Sequence, residues 1–155
     1  MSNTAPKGYH SVTPSLTFKD SQKAIDFYKK AFGAKLLDFF PNLDGKGVMH
    51  ATIQIGDSIL MMGDEMQRCK SAETMGGSPT SLFLYVPDAD ATFKQAVAAG
   101  ATIFMPMMDM FWGDRAGSLT DPFGYQWMVA TKKHDYTKEQ IKKNAEAFFA
   151  QMAKK

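Results

Sequence analysis

An aromatic ring, an acid and a base lie side by side in residues 112–115 (WGDR), the densest mixture of chemically capable side chains in the sequence. An adjacent acid and base can bind an anionic ligand group, or the two charges can hold their own loop together. His50, further upstream, can either transfer protons or act as a hydrogen-bonded structural residue. The sequence therefore offers His50, Asp114 and Arg115 as weak catalytic candidates, with both interpretations of each left open.

A turn and a closing strand follow these candidates and must position them. Residues 121–124 (DPFG) predict a turn, because proline fixes φ at a central position, the aspartate can accept hydrogen bonds from the following backbone, and glycine tolerates positive φ. The run at 125–130 then predicts a strand, with Trp127 on one face and Gln126 and Met128 on the other. Both faces are largely apolar, so we expect both to be covered, with Trp112 at the mouth of a binding site.

The composition excludes several classes of protein and of site. With 155 residues, 45% of them hydrophobic, the chain can bury a sizeable core. The net charge is only +2 and the lysines are scattered, which argues against a nucleic-acid partner. No apolar run approaches the ~20 residues that span a bilayer, and the N-terminus lacks the apolar core of a signal peptide, so we expect a cytoplasmic protein without membrane contact. The single cysteine, Cys69, excludes an internal disulfide and a cysteine-built zinc site.

One order of predicted elements occurs twice along the chain. The first half reads as a strand at 12–18, a helix at 22–32 capped by Asp20 or Ser21 and ended by Gly33, a strand at 35–40, and a hairpin of 48–55 and 58–62. The second half reads as a strand at 81–86, a helix at 91–99 after Asp88 or Asp90 that stops at Gly100, a strand at 102–105, a polar loop with a possible strand near 117–119, and the closing strand. Residues 63–79 lack periodicity and predict a linker.

The two halves also match residue by residue. Leu16, Phe18 and Asp20 correspond to Leu84, Val86 and Asp88 at an offset of 68, whereas Gly33 corresponds to Gly100 at an offset of 67. The difference predicts a one-residue deletion inside the second helix. Because the order of predicted elements is also the same in both halves, we do not attribute these residue matches to chance. We interpret the chain as an internal repeat.

Each half resembles the βαβββ module of the vicinal oxygen chelate superfamily, the glyoxalase and bleomycin-resistance-protein fold. The likeness is most specific to PhnB-like proteins and rests on VTPSLTFKDSQKAIDFYKKAFGA, VMHATIQIGDSILMMGDE, GGSPTSLFLYVPDADATFKQAVAAGAT and FWGDRAGSLTDPFGYQW. It implies an α+β fold in which two βαβββ modules form a curled mixed sheet with a central cavity, followed by a C-terminal helix. We expect a disordered N-terminus at 1–9, modules at 10–66 and 80–131, a linker at 67–79 and a helical extension at 132–155, all in one globular domain.

In its metalloenzymes, the superfamily binds a divalent cation through His, Glu or Gln side chains from four strands. The corresponding positions here fall on Thr13, Met61, Ser81 and Met128. Hydroxyls and thioethers are poor ligands for the cations concerned. The sequence therefore predicts no metal at the usual site and no other cofactor.

Strand alternation directs one set of side chains toward the helices: Leu16, Phe18, Leu60, Met62, Leu82, Leu84, Val86, Trp127 and Val129. The side chains of the opposite faces are predicted to line the cavity instead. They form a mixed apolar surface with hydroxyls, one amide and no carboxylate: Thr13, Ser15, Thr17, Ile59, Met61, Ser81, Phe83, Tyr85, Trp112, Gln126 and Met128. Such a surface is typical of sites that bind flat or apolar small molecules, although the side chains could also fill the space themselves.

These observations favour a metal-free, homodimeric protein that binds a small apolar or aromatic molecule. The alternative is a lyase, isomerase or dioxygenase that uses a displaced metal site or metal-free acid–base chemistry at His50 and Asp114. A third possibility is a filled cavity and a function at the dimer surface or at the C-terminal helix. That helix is predicted from residue 137 by the capping box of Thr137 and Gln140. Its apolar stripe can dock on its own domain or on a second copy.

Overall fold

The computed structural model describes residues 4–153 and contains two βαβββ modules followed by a helix. The first module comprises β1 (Ser15–Phe18), α1 (Ser21–Phe32), β2 (Lys35–Pro41), β3 (Val48–Ile55) and β4 (Ser58–Asp64). A short helix, α2 (Ala72–Met75), leads to the second module, which comprises β5 (Ser81–Tyr85), α3 (Ala89–Ala99), β6 (Thr102–Asp109), β7 (Asp114–Thr120) and β8 (Gln126–Lys132). The chain ends in α4 (Lys138–Met152). The predicted α+β fold of two repeated modules and a C-terminal helix is confirmed.

Capping residues set the limits of the two long module helices. The Asp20 side chain accepts a hydrogen bond from the Lys23 amide at the start of α1, and Asp88 does the same for Ala91 in α3. Gly33 ends α1 with φ at 67°, a left-handed conformation that glycine adopts without strain. Helix α1 has 12 residues and α3 has 11, which confirms the predicted one-residue deletion.

Each module folds into a four-stranded sheet, in the order β1-β4-β3-β2 and β5-β8-β7-β6. The first two strands in each order, β1 with β4 and β5 with β8, run parallel, and the remaining pairs are antiparallel. Ser15 lies opposite Met61 in the first sheet, and Phe83 lies opposite Met128 in the second. Each sheet therefore has a helix face, packed against α1 or α3, and an opposite open face that carries these four residues.

The helix faces of both sheets share one hydrophobic core, as the alternation predicted. Leu16, Phe18, Leu60, Met62, Trp127 and Val129 are buried in it, and Leu82, Leu84 and Val86 pack against it. Helices α1 and α3 contact each other across the junction of the modules, where the Gln95 amide donates to the Lys30 carbonyl.

A buried carboxylate, Asp121, connects the modules within this core. Its Oδ2 atom accepts hydrogen bonds from the Tyr28 hydroxyl at 2.6 Å and from the Trp127 indole at 3.0 Å, and Oδ1 accepts from the amides of Phe123 and Tyr125. The last two bonds are those expected of the predicted turn. Burial raises the pKa of Asp121 above its ordinary value, and burial together with the neighbouring carboxylate raises the pKa of Tyr28 well above its own.

The inner edge of the first sheet is closed by a side chain from the second module. The Tyr125 hydroxyl accepts a hydrogen bond from the Thr17 amide at 3.1 Å and donates one to the Thr17 carbonyl at 2.8 Å. Both backbone groups of Thr17 point away from β4, so no strand of the first sheet can reach them.

Three segments differ from the sequence-based expectation. Asp114 and Arg115 open β7 instead of lying in a loop, because their side chains find hydrogen-bond partners on opposite faces of the sheet. Strand β1 starts at Ser15 and not at residue 12, since Pro14, which lacks an amide proton, precedes it. The predicted linker contains α2, a single turn capped by Ser71 that is too short to show periodicity.

The two ends of the chain pack lightly on the modules. The predicted disordered N-terminus lies outside the described residues at 1–3, whereas Tyr9 contacts the Thr52 hydroxyl on the open face of the first sheet at 3.4 Å. The capping box of α4 is confirmed. Helix α4 contacts its own chain through Phe111, whose ring packs on Phe148 and Phe149, yet it buries no residue and leaves Phe149 58% exposed. Among the described residues, no helix is long and apolar enough to cross a membrane.

Candidate ligand-binding site

Two aromatic rings lie next to each other on the open face of the second sheet. Phe83 and Tyr85 alternate with the helix-facing Leu82 and Leu84 along β5, so both rings stand on the same side. Their centroids are 5.0 Å apart with planes tilted by 31°, and the two residues are 49% and 59% exposed. We call this pair the aromatic shelf, a surface on which a flat molecule can stack.

A buried carboxylate holds one half of the aromatic shelf in place. The Tyr85 hydroxyl donates to Asp114 Oδ2 at 2.9 Å, and the Trp112 indole donates to the same oxygen at 2.7 Å. Asp114 is only 3% exposed. Burial and the hydrogen bond to the Asp114 carboxylate raise the pKa of Tyr85, which keeps its phenol protonated as a donor.

This arrangement corrects one expectation about the open face. Strand alternation predicted no carboxylate among the cavity side chains, because the sequence around Asp114 is typical of a loop. In the pairing of β7 with β8, Asp114 lies opposite Lys132, and Ala116 lies opposite Ala130. Tyr85 of β5 is paired with the same Ala130 from the other side, so Tyr85 and Ala116 point to the same face of the sheet. Asp114 is two residues before Ala116 and shares that face. Asp114 therefore lies on the open face, behind the aromatic shelf.

Methionines cover the rest of this face. Met110, Ala116 and Ala130 form a small buried cluster against which further apolar side chains pack, namely Met105, Met108, Trp112 and Met128. Methionine is flexible and polarizable, so this surface can adapt to ligands of different outline. The structure thus brings together Trp112, Tyr85 and Met128, all from the predicted lining.

A cavity of about 580 Å³ lies where the two modules meet. Ile59, Phe83 and Tyr85 of the predicted lining form part of its wall, together with segments from the N-terminal region and from the β3–β4 turn: His10, Val12, Pro14, Ile55, Gly56, Asp57, Ser58, Leu60, Leu82, Leu84 and Trp127. The volume falls in the range typical of small-molecule sites.

All but one of the remaining lining candidates lie on the open faces outside this wall. Ser81 is opposite Gln126 in the second sheet, and Ser15 is opposite Met61 in the first. Thr17 follows two residues after Ser15 on the same face. The Thr13 hydroxyl precedes β1 and donates to the His10 carbonyl at 3.1 Å.

His50 and Asp114, the proposed acid–base pair, lie on different sheets. The Nε2 atom of His50 is 3.2 Å from the Thr52 hydroxyl, and its ring lies near that of Phe40. No contact of His50 within residues 4–153 involves a carboxylate. These contacts fit the structural interpretation of His50 better than the proton-transfer one.

Arg115 points away from the open face and toward α3. Its guanidinium binds Asp90 at 2.9 and 3.0 Å and approaches Asp109 at 3.5 Å. The hydrogen bonds to Asp90 raise the pKa of Arg115 and lower that of Asp90. Asp114 and Arg115 are adjacent in the sequence but contact different partners on opposite faces of the sheet. For Arg115, these contacts fit a structural role better than binding of an anionic ligand group.

The donor atoms at the superfamily's metal positions do not suit a divalent cation. Of the four positions, Met61 lies opposite Ser15, Met128 opposite Phe83 and Ser81 opposite Gln126, and Thr13 precedes β1. The four positions themselves offer two hydroxyls and two thioethers, which are poor ligands for a divalent cation. Over residues 4–153, no group of three or more His, Cys, Asp or Glu side chains is placed to hold a metal ion.

Sequence reasoning missed Asp114 as a member of the open face, together with its cluster partners Met105, Met108 and Met110. The alternation of β6 is interrupted by register shifts between Ile103 and Met105 and again before Met108, which hides the pattern. A signal was nevertheless available: an aspartate two residues from a tryptophan can bond the indole, and a carboxylate so paired can be buried.

The structure and sequence resemble proteins already known. The family model of the Glyoxalase/Bleomycin resistance protein/Dioxygenase superfamily matches residues 9–129. An uncharacterised protein of Mycobacterium bovis is 36% identical over 136 residues, covering 84% of this chain and 89% of the relative. The crystal structure of TioX from Micromonospora sp. ML1 has a TM-score of 0.64 and 26% identity, covering 83% of this chain and 100% of that one.

A PhnB protein from Bacillus cereus, described as a putative 3-demethylubiquinone-9 3-methyltransferase, has a TM-score of 0.63 at 22% identity, covering 79% of this chain and 99% of that one. At this identity the likeness concerns the fold alone. Together with the repeated βαβββ modules, these matches show that the chain belongs to the Glyoxalase/Bleomycin resistance protein/Dioxygenase superfamily and has a PhnB protein among its structural neighbours.

Proposed function

We propose that this protein binds a flat apolar or aromatic small molecule on the aromatic shelf, without a metal ion. The observation that carries the proposal is the pair of half-exposed rings, one of them fixed by Asp114, in the wall of a cavity of about 580 Å³. A fixed phenol loses little conformational entropy when a ligand stacks on it. The adaptable methionines beside it supply further apolar contact.

We further propose that the binding unit is a homodimer, in which a second copy covers the aromatic shelf. Support comes from the apolar surface that one chain leaves exposed: besides the shelf, strand β2 presents Leu37 and Phe40 to solvent. Large exposed apolar surfaces mark sites of association. Light scattering during size-exclusion chromatography should give twice the mass of the 17.2 kDa chain, and a monomeric mass would contradict this part of the proposal.

Calorimetric titration with 1-methylnaphthalene, a flat neutral probe, tests the binding site. We expect saturable binding and an increase in melting temperature, because a ligand selective for the native state stabilises it. Phe83→Ala should weaken the binding roughly tenfold through loss of ring stacking. Phe104→Ala is the matched control, since Phe104 is exposed on β6 outside the shelf. Equal affinity in both variants would show that the probe binds elsewhere, and absence of binding would contradict the proposal.

A further inference from the structure

The charge of Asp114 is not balanced by any ion pair in the described part of the chain. The salt bridges there involve other carboxylates, those of Asp20, Asp90, Asp109 and Asp135. Among the described residues, its side chain accepts hydrogen bonds from two neutral donors, Tyr85 and Trp112. Burial of a carboxylate is costly unless an opposite charge compensates it.

The nearest candidate for that opposite charge is already bound. Lys132 lies directly across the ladder from Asp114, but its ammonium is 2.6 Å from the carboxylate of Asp135. The pair of Lys132 and Asp135 is neutral as a unit. Asp114 contributes to the raised pKa of Lys132, yet no cationic side chain of the described residues forms an ion pair with Asp114, so the carboxylate behind the aromatic shelf has no direct counter-charge.

The donors to Asp114 are themselves aromatic, and this determines what the negative charge can attract. Tyr85 and Trp112 donate to the same carboxylate oxygen, so their polar atoms meet at Asp114, and the ring of Phe83 lies next to that of Tyr85. Phenol and indole rings that donate to a carboxylate carry more electron density on their faces. Electron-rich ring faces attract cations.

From this geometry we infer that the ligand of the aromatic shelf is a flat molecule carrying a positive charge, an aromatic or lipophilic cation held over Phe83, Tyr85 and Trp112 with Asp114 as its counter-charge. This inference rests on the proposed function and specifies the chemical class of the ligand. It distinguishes the shelf from a purely apolar site, which would favour the neutral molecule because that molecule loses less hydration.

The test compares two isosteric probes on the intact protein at low ionic strength. 1-Methylquinolinium has the outline of 1-methylnaphthalene but is permanently cationic, so the ratio of their dissociation constants isolates the effect of charge. For the wild-type protein, we expect the cation to bind roughly tenfold more tightly than the neutral probe. This measurement needs no variant and is therefore independent of any folding defect.

Two variants then identify the source of the preference. Asp114→Asn should bring the ratio of the dissociation constants close to one. Asp44→Asn is the matched control, because Asp44 is an exposed carboxylate in the loop between β2 and β3, outside the wall of the cavity. In that variant the ratio should stay at its wild-type value. Circular dichroism melting of both variants checks that they are folded at the temperature of the titration.

The outcomes separate this inference from the proposed function. Equal affinities of the two probes in the wild type, with binding still dependent on Phe83, would overturn the inference and leave the proposed function intact. A preference for the cation that survives in Asp114→Asn, or that disappears in Asp44→Asn, would also overturn it. Failure of both probes to bind would overturn the inference and the proposed function together.

Discussion

The two sheets have the same strand order and register but different open faces. Ser15 and Thr17 in β1 correspond to Phe83 and Tyr85 in β5, so the hydroxyls of the first sheet occupy the positions of the aromatic shelf in the second. Tyr9 of the N-terminal segment also contacts the first open face, whereas the shelf is half exposed. The two modules therefore carry similar apolar side chains on their helix faces, where close packing restricts substitution. They carry different side chains on their open faces, where the requirements of a ligand can determine the residue type.

The turns that lead into β4 and β8 show a second contrast between the modules. The first is the short Gly56-Asp57 turn, in which Asp57 is exposed and accepts a hydrogen bond from the neighbouring Ser58 hydroxyl. The second contains Asp121, which is buried and bonds a tyrosine of the other module. The second module therefore supplies the polar contact that orients the two modules.

The largest effect should come from removing this contact. Asp121→Ala deprives the buried Tyr28 hydroxyl and Trp127 indole of their acceptor, and we expect it to lower the free energy of unfolding by about 3 kcal/mol. Asp57→Ala, the counterpart in the other turn, should change it by less than about 0.5 kcal/mol. Urea denaturation followed by tryptophan fluorescence measures both. Similar losses in the two variants would mean that the turns are energetically alike.

A smaller effect should distinguish two equivalent positions on the helix faces. Ala51 in β3 and Gly117 in β7 correspond, since they face Met62 and Val129. A Cβ atom on Gly117 would lie 2.7 Å from Met107 Sδ and 2.7 Å from a ring carbon of Phe93. Gly117→Ala should therefore cost about 2 kcal/mol through overpacking.

The reverse exchange, Ala51→Gly, should cost only about 1 kcal/mol, through the greater freedom of glycine in the unfolded chain. Thermal melting of the two variants at the same protein concentration compares them. If the Gly117→Ala substitution raised the melting temperature, Met107 and Phe93 would be able to move aside. The close approach of α3 to its sheet would then not depend on a glycine at this position.

The smallest effect concerns the residues at which the chain leaves each sheet. Glu65, after β4, accepts hydrogen bonds from the Ser71 hydroxyl and amide, which lower its pKa to about 2. A carboxyl group whose pKa is lowered on folding stabilises the protein above its ordinary pKa of 4.5, and this stabilisation is lost as the pH falls toward about 2. Lys132, at the end of β8, has its pKa raised by Asp135 instead.

We therefore expect Glu65→Gln to lose less stability than the wild type between pH 4.5 and about 2. Carbon-detected NMR titration of the Glu65 carboxyl gives the pKa directly, and Ser71→Ala should raise it. A midpoint near 4.5 in the wild type would mean that Glu65 is not held by Ser71 in solution.

The repeat and its boundaries could be predicted because they depend on local signals. Asp20 and Asp88 cap helices through the backbone three residues on, and Gly33 ends α1 through its own φ angle. Core positions followed from alternation, which placed Phe18 and Trp127 on the helix faces.

The candidate site depended on partners that are distant in the sequence. From the sequence, Asp114 is typical of a loop residue, because its partner Tyr85 lies 29 positions earlier in the chain. Arg115 is typical of a ligand-binding base, because nothing in the sequence shows that Asp90 lies beside it. Lining residues such as Ser81 and Gln126 were assigned to their face by alternation alone. Alternation fixes the face of a sheet, but it gives no information about what else reaches that face.

The bond pattern of Tyr125 has a consequence for the architecture of the repeat. One phenol on Thr17 takes the place of an entire neighbouring strand at the inner edge of β1. Because that edge has no free amide or carbonyl at Thr17, the sheets cannot fuse into one continuous ladder, nor can a foreign strand add there.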